Sequence, residues 1–278
     1  MPELPEVETI KRVIEPQIQG TSIEQVTISR PEVIAHPCAD EFCELLRGQV
    51  IAGMRRRGKF LAFTMENDSY VVLHLRMTGC LLVCPPDMPK EKHTHIVFQL
   101  SNQMELRFSD TRRFGRFWLI RRGETDTYSG IGKLGIEPSA PELTAEYLVR
   151  CFGKRRKAVK ECLLEQGAIA GIGNIYSDEI LFEAGIYPGC PANRLKYQDW
   201  ERLAAVIPGC LSYFIEKNQL SPEEYLQGKG RDYRNTPFLK VYGRAGKSCR
   251  VCGTVLSRTV IGGRSSTFCP NCQREIGE

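Results

Sequence analysis

The spacing of apolar and polar residues divides the chain into a strand-rich first part and a helical second part. In residues 70–77 every second position is Val, Leu or Met, and the segments HIVFQL, MELRFS and GRFWLIRR continue the alternation. Turn signals separate these segments, and no helical pattern alternates with them between residues 22 and 120. The first part is therefore predicted to be an antiparallel β-sandwich or barrel.

One helix is predicted ahead of the strands, over residues 5–17. Val7, Ile10 and Ile14 recur at helical spacing, Pro5 suits the first turn, and Gly20 marks the end. The amphipathic spacing predicts that this helix packs one face against the sheets.

Helical spacing returns after residue 150. Val159, Cys162 and Leu163 fall on one face of a helix, and the glycine-rich segment GAIAGIGN follows. Asn174 is the expected N-cap of the next helix, IYSDEILFEAG, and a further helix is predicted over residues 198–217 with a kink at Pro208. A glycine turn before a helix start can hold a phosphate, although many helix pairs simply end on glycine.

The four C-terminal cysteines have the spacing of a zinc site. Two Cys-x2-Cys pairs are separated by sixteen residues: Cys249, Cys252, Cys269 and Cys272. Such pairs supply four thiolates to a tetrahedral Zn²⁺, and two disulfides are the alternative. Between the pairs, TVLSRTVI and RSSTF flank two glycines and predict a β-hairpin finger. Four thiolates leave no open coordination position, so we expect one structural zinc.

Composition places the chain among ordinary globular proteins. It has 278 residues, of which 42% are hydrophobic and 26% charged, and it carries a net charge of +5. No apolar run is long enough to span a membrane, and the acidic start lacks a signal-peptide core, so we expect a cytoplasmic protein with no membrane partner. The eight cysteines outside the cluster are then expected to be reduced thiols.

The positive charge is concentrated in a few segments. Residues 239–278 carry seven basic and two acidic residues, and residues 55–59, 112–116 and 154–160 form further basic patches. Such patches favour contact with phosphate, whereas an ordinary solvated surface is the alternative.

The N-terminus is a second candidate for chemistry. Removal of Met1 would expose the secondary amine of Pro2, and an α-amine titrates near pH ~8, far below lysine. Such an amine can attack an aldehyde-like carbon and form a Schiff base, with Glu3 and Glu6 close enough to move protons. A frayed terminus, with proline as a helix entry, is the alternative.

The motifs together resemble the formamidopyrimidine-DNA glycosylase family. The segments are PELPEVET, RRGKFL, HLRMTG, DTRRFG, LGIEP, AGIGNIYSDE and the paired CxxC, and they run in order from residue 2 to about residue 272. The resemblance implies an α+β fold with an N-terminal antiparallel β-sandwich flanked by helices and a C-terminal helical domain. That domain would carry a helix-two-turn-helix motif and a β-hairpin zinc finger.

The resemblance also implies a domain division and a function. Residues 123–143 are rich in Gly, Ser, Thr and Pro and are the linker candidate by composition. The expected domains are a catalytic β-sandwich at 1–130, a linker at 131–150, a helical domain with a lesion-capping loop at 151–238, and a zinc finger at 239–278. The family excises oxidised purines (8-oxoguanine and formamidopyrimidines) from duplex DNA in bacterial base-excision repair and nicks the abasic strand by β- and δ-elimination. A monomer acting on damaged double-stranded DNA of the nucleoid is expected.

Residue roles follow from the same resemblance. Pro2 would be the nucleophile, Glu3 its general acid/base partner and Lys59 a basic catalytic residue near the lesion and phosphate. Met77, Arg112 and Phe114 would fill the gap left by the extruded base. The phosphate backbone would be held by His74, Asn174, Tyr242, Arg258 and Arg264.

Two alternatives and one departure remain. The chain could be a non-catalytic, zinc-containing nucleic-acid-binding protein, or an endonuclease VIII-like glycosylase for oxidised pyrimidines, although relatives of the latter kind typically begin PEGPE. Residues 218–238 lack the GGST-type sequence usual in the lesion-capping loop, although residues 231–233 (Arg-Asp-Tyr) could be remnants of it. This departure leaves the preferred base open more than the reaction.

Overall fold

A computed structural model describes residues 2–273, so the basic and acidic residues counted beyond that point lie outside the described residues. Its strands are β1 (Ile23–Ile28), β2 (Ile34–His36), β3 (Ile51–Arg57), β4 (Phe60–Met65), β5 (Tyr70–His74), β6 (Gly79–Cys84), β7 (Thr94–Leu100), β8 (Glu105–Asp110), β9 (Arg116–Ile120), β10 (Ser257–Ile261) and β11 (Arg264–Phe268). Its α-helices are α1 (Leu4–Ile18), α2 (Ala39–Leu46), α3 (Ala145–Phe152), α4 (Val159–Leu163), α5 (Asn174–Glu183), α6 (Tyr197–Lys217) and α7 (Pro222–Gln227).

Two compact units account for these elements. The first contains residues 2–133 and 218–233, and the second contains residues 134–217 and 234–273. Within the described part of the chain, no helix combines the length and the apolar character that crossing a membrane requires.

Two β-sheets form the body of the first unit. One has the strand order β1-β7-β8-β6 and the other β2-β9-β5-β4-β3, and all neighbours are antiparallel except β2 and β9. Ile23 and Phe98 from the first sheet share one buried cluster with Leu73 and Phe117 from the second. The predicted antiparallel sandwich is therefore confirmed.

Helices flank the sandwich. The predicted helix at 5–17 is α1, which extends one residue further at each end and buries Val7, Ile10 and Ile14 completely. The sequence pattern did not predict α2, because its eight residues bury only Phe42 and Leu46 and so give too short a periodicity.

Residues 218–233 belong to the first unit. They were expected to belong to the helical domain at 151–238, but Tyr225 of α7 joins the core of the sandwich and is 3% exposed. The Cys80 thiol donates to the carbonyl oxygen of Lys229 at 3.2 Å. Gly230 has φ +65°, and a Cβ there would lie 2.4 Å from the Cys80 sulfur, so glycine is required for this close approach.

The second unit contains helices α3 to α6 and the hairpin β10–β11. Helix α3 lies partly within the stretch expected to be a linker, and α6 continues through Pro208. The expectation for Asn174 is wrong: Gly173 is the N-cap of α5, and Asn174 is its first helical residue. The Asn174 amide donates instead to the carbonyl oxygen of Ser265 at 3.2 Å.

The zinc-finger segment packs on α5. Phe182 of α5 shares a buried cluster with Val241, Leu256, Cys249 and Cys269. The hairpin has the predicted strands, with Ile261 paired to Arg264 across the two turn glycines.

Candidate active site and nucleic-acid interface

The N-terminal residues are held within the first unit. Pro2 is buried, and Glu3 is 2% exposed as the N-cap of α1. The Glu3 backbone N–H donates to the Glu6 carboxylate at 2.8 Å. A carboxylate at this end of the helix is favoured by the helix dipole. The arrangement fixes residues 2–6 rather than leaving a frayed terminus.

Lys59 lies in the tight turn between β3 and β4. Gly58 before it has φ +53°, a conformation that glycine adopts without strain. Lys59 is 8% exposed, whereas Arg55 on the preceding strand is exposed. Lys59 is thus more buried than the three arginines of this basic patch, of which Arg55 is exposed and Arg56 and Arg57 are half-buried.

A half-buried ion pair connects β3 to the first helix. Arg56 donates through Nε to Glu8 of α1 at 2.8 Å. Although burial raises the pKa of Glu8, Arg56 and Arg12 together hold it below its ordinary value. The ion pair thus links the helix that Glu3 caps to the strand that precedes Lys59.

His74 ends β5 opposite Phe60, which directly follows Lys59. Burial, together with the charges of Arg76 and Lys59, lowers the pKa of His74 to about 3. The ring is therefore neutral near pH 7, and its Nδ1 accepts the Arg76 backbone N–H at 2.9 Å. The remaining proton must lie on Nε2, which makes that nitrogen a donor suited to a phosphate oxygen.

The His74 environment should be visible in the pH dependence of stability. Below pH 6.5 this histidine becomes protonated in the unfolded chain, whereas in the folded chain it stays neutral until about pH 3. The free energy of unfolding therefore decreases as the pH falls through this range. Between pH 7 and pH 5, the free energy of unfolding of His74→Gln should decrease by roughly 2 kcal/mol less than that of the unchanged protein. Urea unfolding at the two pH values measures this, and parallel losses in both proteins would contradict it.

Three residues with exposed side chains lie in two loops of the first unit. Met77 lies in the β5–β6 loop and is 43% exposed, so it is not a core methionine. Arg112 and Phe114 lie in the β8–β9 loop, where Phe114 is 48% exposed and the Arg112 guanidinium sits 4.7 Å from the centre of its ring. Apolar side chains exposed in this way are suited to insertion between bases.

Four further candidate contacts lie in the second unit, on α5, on the hairpin and in the segment that precedes the hairpin. Arg258 and Arg264 are exposed on the hairpin, and Arg258 donates through Nε to the Ser265 hydroxyl at 2.8 Å. The Asn174 amide also reaches Ser265, as described above. Tyr242 is half-buried, and its backbone N–H donates to Glu179 of α5 at 2.8 Å.

A buried ion pair that the sequence did not reveal fixes this arrangement. Lys160 was grouped with the basic patch at 154–160, but it is fully buried and donates to Asp178 at 2.7 Å. It also donates to the Ser265 carbonyl, while Asp178 accepts from the Ser266 hydroxyl and the Thr267 backbone N–H. The pair therefore joins helices α4 and α5 to strand β11.

The four clustered cysteines fit a zinc ion. Their sulfur atoms all lie within 4.8 Å of one another, with 4.0 Å between Cys249 and Cys272 and 3.4 Å between Cys252 and Cys269. A tetrahedral Zn²⁺ with bonds of about 2.3 Å separates its sulfur ligands by about 3.8 Å. A disulfide requires about 2.05 Å, so the alternative of two disulfides does not fit. The site is a structural zinc site of the finger.

Family models match most of the chain. Residues 1–117 match the formamidopyrimidine-DNA glycosylase N-terminal domain, and residues 134–223 match the formamidopyrimidine-DNA glycosylase H2TH domain. Residues 246–274 match the zinc finger found in FPG and IleRS.

Known proteins are similar to this chain over nearly its whole length. The formamidopyrimidine-DNA glycosylase of Moorella thermoacetica is 44% identical over 258 residues, which are 93% of this chain and 94% of the relative. The structure of Lactococcus lactis Fpg with abasic-site DNA has a TM-score of 0.88 at 31% identity, covering 98% of this chain and 100% of that one. A structure of MutM with DNA containing carbocyclic 8-oxo-G has a TM-score of 0.88 at 34% identity, covering 99% and 100%.

Proposed function

The chain belongs to the formamidopyrimidine-DNA glycosylase family, and we propose that Pro2 is the nucleophile of its reaction. The protein is a base-excision-repair enzyme that removes oxidised purines from damaged DNA and cleaves the abasic strand as a lyase. Neither a non-catalytic zinc protein nor an endonuclease VIII-like glycosylase for oxidised pyrimidines is favoured by these relatives. We propose 8-oxoguanine and formamidopyrimidines in duplex DNA as its substrates and a monomer as its active form.

The observation that best supports Pro2 as the nucleophile is the burial of Pro2 and Glu3 at the start of α1. Once Met1 is removed, the secondary amine of Pro2 attacks the deoxyribose C1′ and the damaged base leaves. Glu3 moves protons as the sugar ring opens, and a Schiff base links Pro2 to the opened sugar. Successive β- and δ-elimination then cut the strand on both sides of the lesion.

The remaining candidates position the DNA. Lys59 places a buried positive charge beside His74, and both act on the phosphate near the lesion. Met77 and Phe114 fill the space that the extruded base leaves, and Arg112 hydrogen-bonds the orphaned cytosine. This filling offsets the few kcal/mol that unstacking a base costs.

The second unit contributes phosphate contacts and zinc. Asn174 and Tyr242 approach the backbone from α5 and the segment before the finger, and Arg258 and Arg264 do so from the hairpin. Zinc held by the four cysteines keeps the hairpin folded and takes no part in the bond cleavage. The DNA-binding residues of this unit thus act separately from the chemistry at Pro2.

Glu3→Gln tests the proposed division of labour at the terminus. We expect excision of 8-oxoguanine from duplex DNA to fall by about 10²–10⁴, because the amide cannot exchange the proton. Cleavage of a preformed abasic site should fall much less, since its sugar already opens to an aldehyde that Pro2 can attack. Gel assays of both substrates measure the two losses.

The control is Glu8→Gln, which makes the same charge change on the same helix. Glu8 pairs with Arg12 and Arg56 and is not assigned to the chemistry. Equal losses on the two substrates in Glu3→Gln, or a comparable loss of excision in Glu8→Gln, would refute the assigned role of Glu3.

A further inference from the structure

We propose that Asp110 is a positioning residue that holds the two insertion loops in one fixed arrangement. The proposal rests on the proposed function of Met77, Arg112 and Phe114 as the side chains that replace the extruded base. Asp110 itself is completely buried and ends β8, where the Arg112 loop begins. It therefore acts through its neighbours rather than by touching DNA.

Both oxygens of the Asp110 carboxylate are used, and they contact both loops. Oδ1 accepts the Thr78 hydroxyl from the β5–β6 loop and the Arg112 backbone N–H at 3.1 Å from the β8–β9 loop. Oδ2 accepts the Gly115 backbone N–H at 2.8 Å. One side chain thus holds the residue after Met77 and both ends of the segment that carries Arg112 and Phe114.

The backbone of Asp110 is fixed in turn by a neighbouring strand. Its carbonyl oxygen lies 2.7 Å from Nε2 of His95, and its N–H donates to the carbonyl of His93 at 3.0 Å. The carboxylate therefore projects from a rigid position on the sheet, which is what a precise anchor requires.

The loops need such an anchor because their backbones are strained. Arg76, just before Met77, has φ +56°, and Arg113, between Arg112 and Phe114, has φ +57°. Residues other than glycine are strained in this region and persist only where surrounding contacts hold them. Gly115 adds a steric demand, since a Cβ there would lie 2.5 Å from the ring of Phe108.

The consequence of this anchor is that the two loops are ordered before the base is extruded. Ordering two loops only when the base leaves the stack would add their conformational entropy to the cost of extrusion. Loops that Asp110 has already ordered present Met77, Arg112 and Phe114 together, so the void is filled without that cost. The choice of cytosine by Arg112 would depend on the same anchor.

The test is Asp110→Asn, which keeps the size of the side chain but leaves one oxygen where two are needed. We expect about tenfold or greater loss of 8-oxoguanine excision from duplex DNA. The preference for cytosine over adenine opposite the lesion should fall toward the value for Arg112→Ala. Cleavage of an abasic site in single-stranded DNA, which has no opposite base and no void, should change less than about twofold.

Two further variants keep the test decisive. Asp126→Asn is the matched control, because Asp126 also accepts two backbone N–H groups and a hydroxyl in a loop of the first unit, from Tyr128 and Ser129. It should retain both activities and the cytosine preference. Thr78→Val removes the hydroxyl that donates to Asp110 and that accepts the Arg112 backbone N–H at 3.3 Å, and it leaves Asp110 in place. It should lower duplex excision even if Asp110→Asn does not fold.

The outcomes distinguish the insertion role of the three loop residues from the positioning role of Asp110. If Met77→Ala, Arg112→Ala and Phe114→Ala leave duplex excision and the cytosine preference unchanged, the insertion role fails and Asp110 has nothing to position. If those variants lose activity but Asp110→Asn and Thr78→Val behave like Asp126→Asn, only the positioning role is overturned. If Asp110→Asn loses both substrates equally, Thr78→Val decides: loss of duplex excision with retained single-stranded cleavage supports the positioning role, and equal loss on both substrates overturns it.

Discussion

A form of the protein in which the α-nitrogen of Pro2 is locked in a peptide bond should give no borohydride-stable adduct with DNA containing 8-oxoguanine opposite cytosine. Borohydride reduces a Schiff base to a stable amine, so it traps the protein only when a free amine has attacked the sugar. A short tag fused ahead of Pro2 converts that amine to an amide, which is not nucleophilic. The correctly processed protein should be trapped under the same conditions.

The expected effect is large because the covalent route is lost altogether. Strand cleavage in the fused protein should fall by on the order of 10³ or more. Pro2→Gly keeps a free α-amine but makes it primary, so it should retain part of the adduct and part of the cleavage. Denaturing gels of labelled DNA measure both products.

The control is the same tag placed at the C-terminus, which leaves Pro2 free. That protein should be trapped as efficiently as the untagged one. Trapping of the N-terminally fused protein would assign the nucleophile to a side-chain amine instead, and Lys59 would be the first to examine because it is buried in the same unit.

Local patterns in the sequence predicted those features that depend on neighbours in the chain. The amphipathic spacing of α1 and the Gly-Gly turn of the hairpin are properties of short segments, and both are confirmed. The zinc site was predictable for a similar reason, since each Cys-x2-Cys pair is a local unit and the pairs meet through the hairpin between them.

Features set by contacts between distant segments were not predictable in this way. Lys160 and Asp178 are eighteen residues apart, and nothing in a run of basic residues distinguishes the one that becomes fully buried. The N-cap of α5 is Gly173 rather than Asn174, and the Asn174 amide donates to the carbonyl oxygen of Ser265, far along the chain.

Asp110 illustrates the same limit at the candidate site. The motif DTRRFG drew attention to Arg112 and Phe114, whose exposed side chains suggest contact with DNA, but the aspartate at its start carries no such signal. Its importance rests on a hydroxyl from Thr78, thirty-two residues earlier in the chain. The family resemblance thus identified residues that face outward and gave no role to the residue that holds them.

Loss of zinc should produce the second large effect, confined to DNA binding. Cys249 and Cys269 are 4% and 0% exposed and pack against Phe182, Val241 and Leu256, so their thiolates have little water to replace the metal. Structural zinc contributes roughly 10–16 kcal/mol to the folding of isolated fingers. We therefore expect Cys269→Ser to bind little zinc and to lose the ordered hairpin.

The loss of the hairpin should be measurable as a change in salt dependence. Arg258 and Arg264 are exposed on its strands, and each phosphate contact contributes about one unit to the slope of log affinity against log salt. Cys269→Ser should thus bind lesion duplex more weakly and with a slope smaller by about two. Fluorescence anisotropy at several salt concentrations, together with metal analysis, measures both quantities.

The matched control is Cys151→Ser, a half-buried cysteine of α3 in the same unit that is not part of the cluster. It should retain one zinc and the full slope. Because Pro2 belongs to the other unit, Cys269→Ser should still form the borohydride adduct with abasic single-stranded DNA at concentrations that saturate binding. An unchanged slope in a zinc-free Cys269→Ser protein would show that the hairpin arginines do not contact phosphate. Loss of the adduct at saturation would show that the finger supports the chemistry as well as the binding.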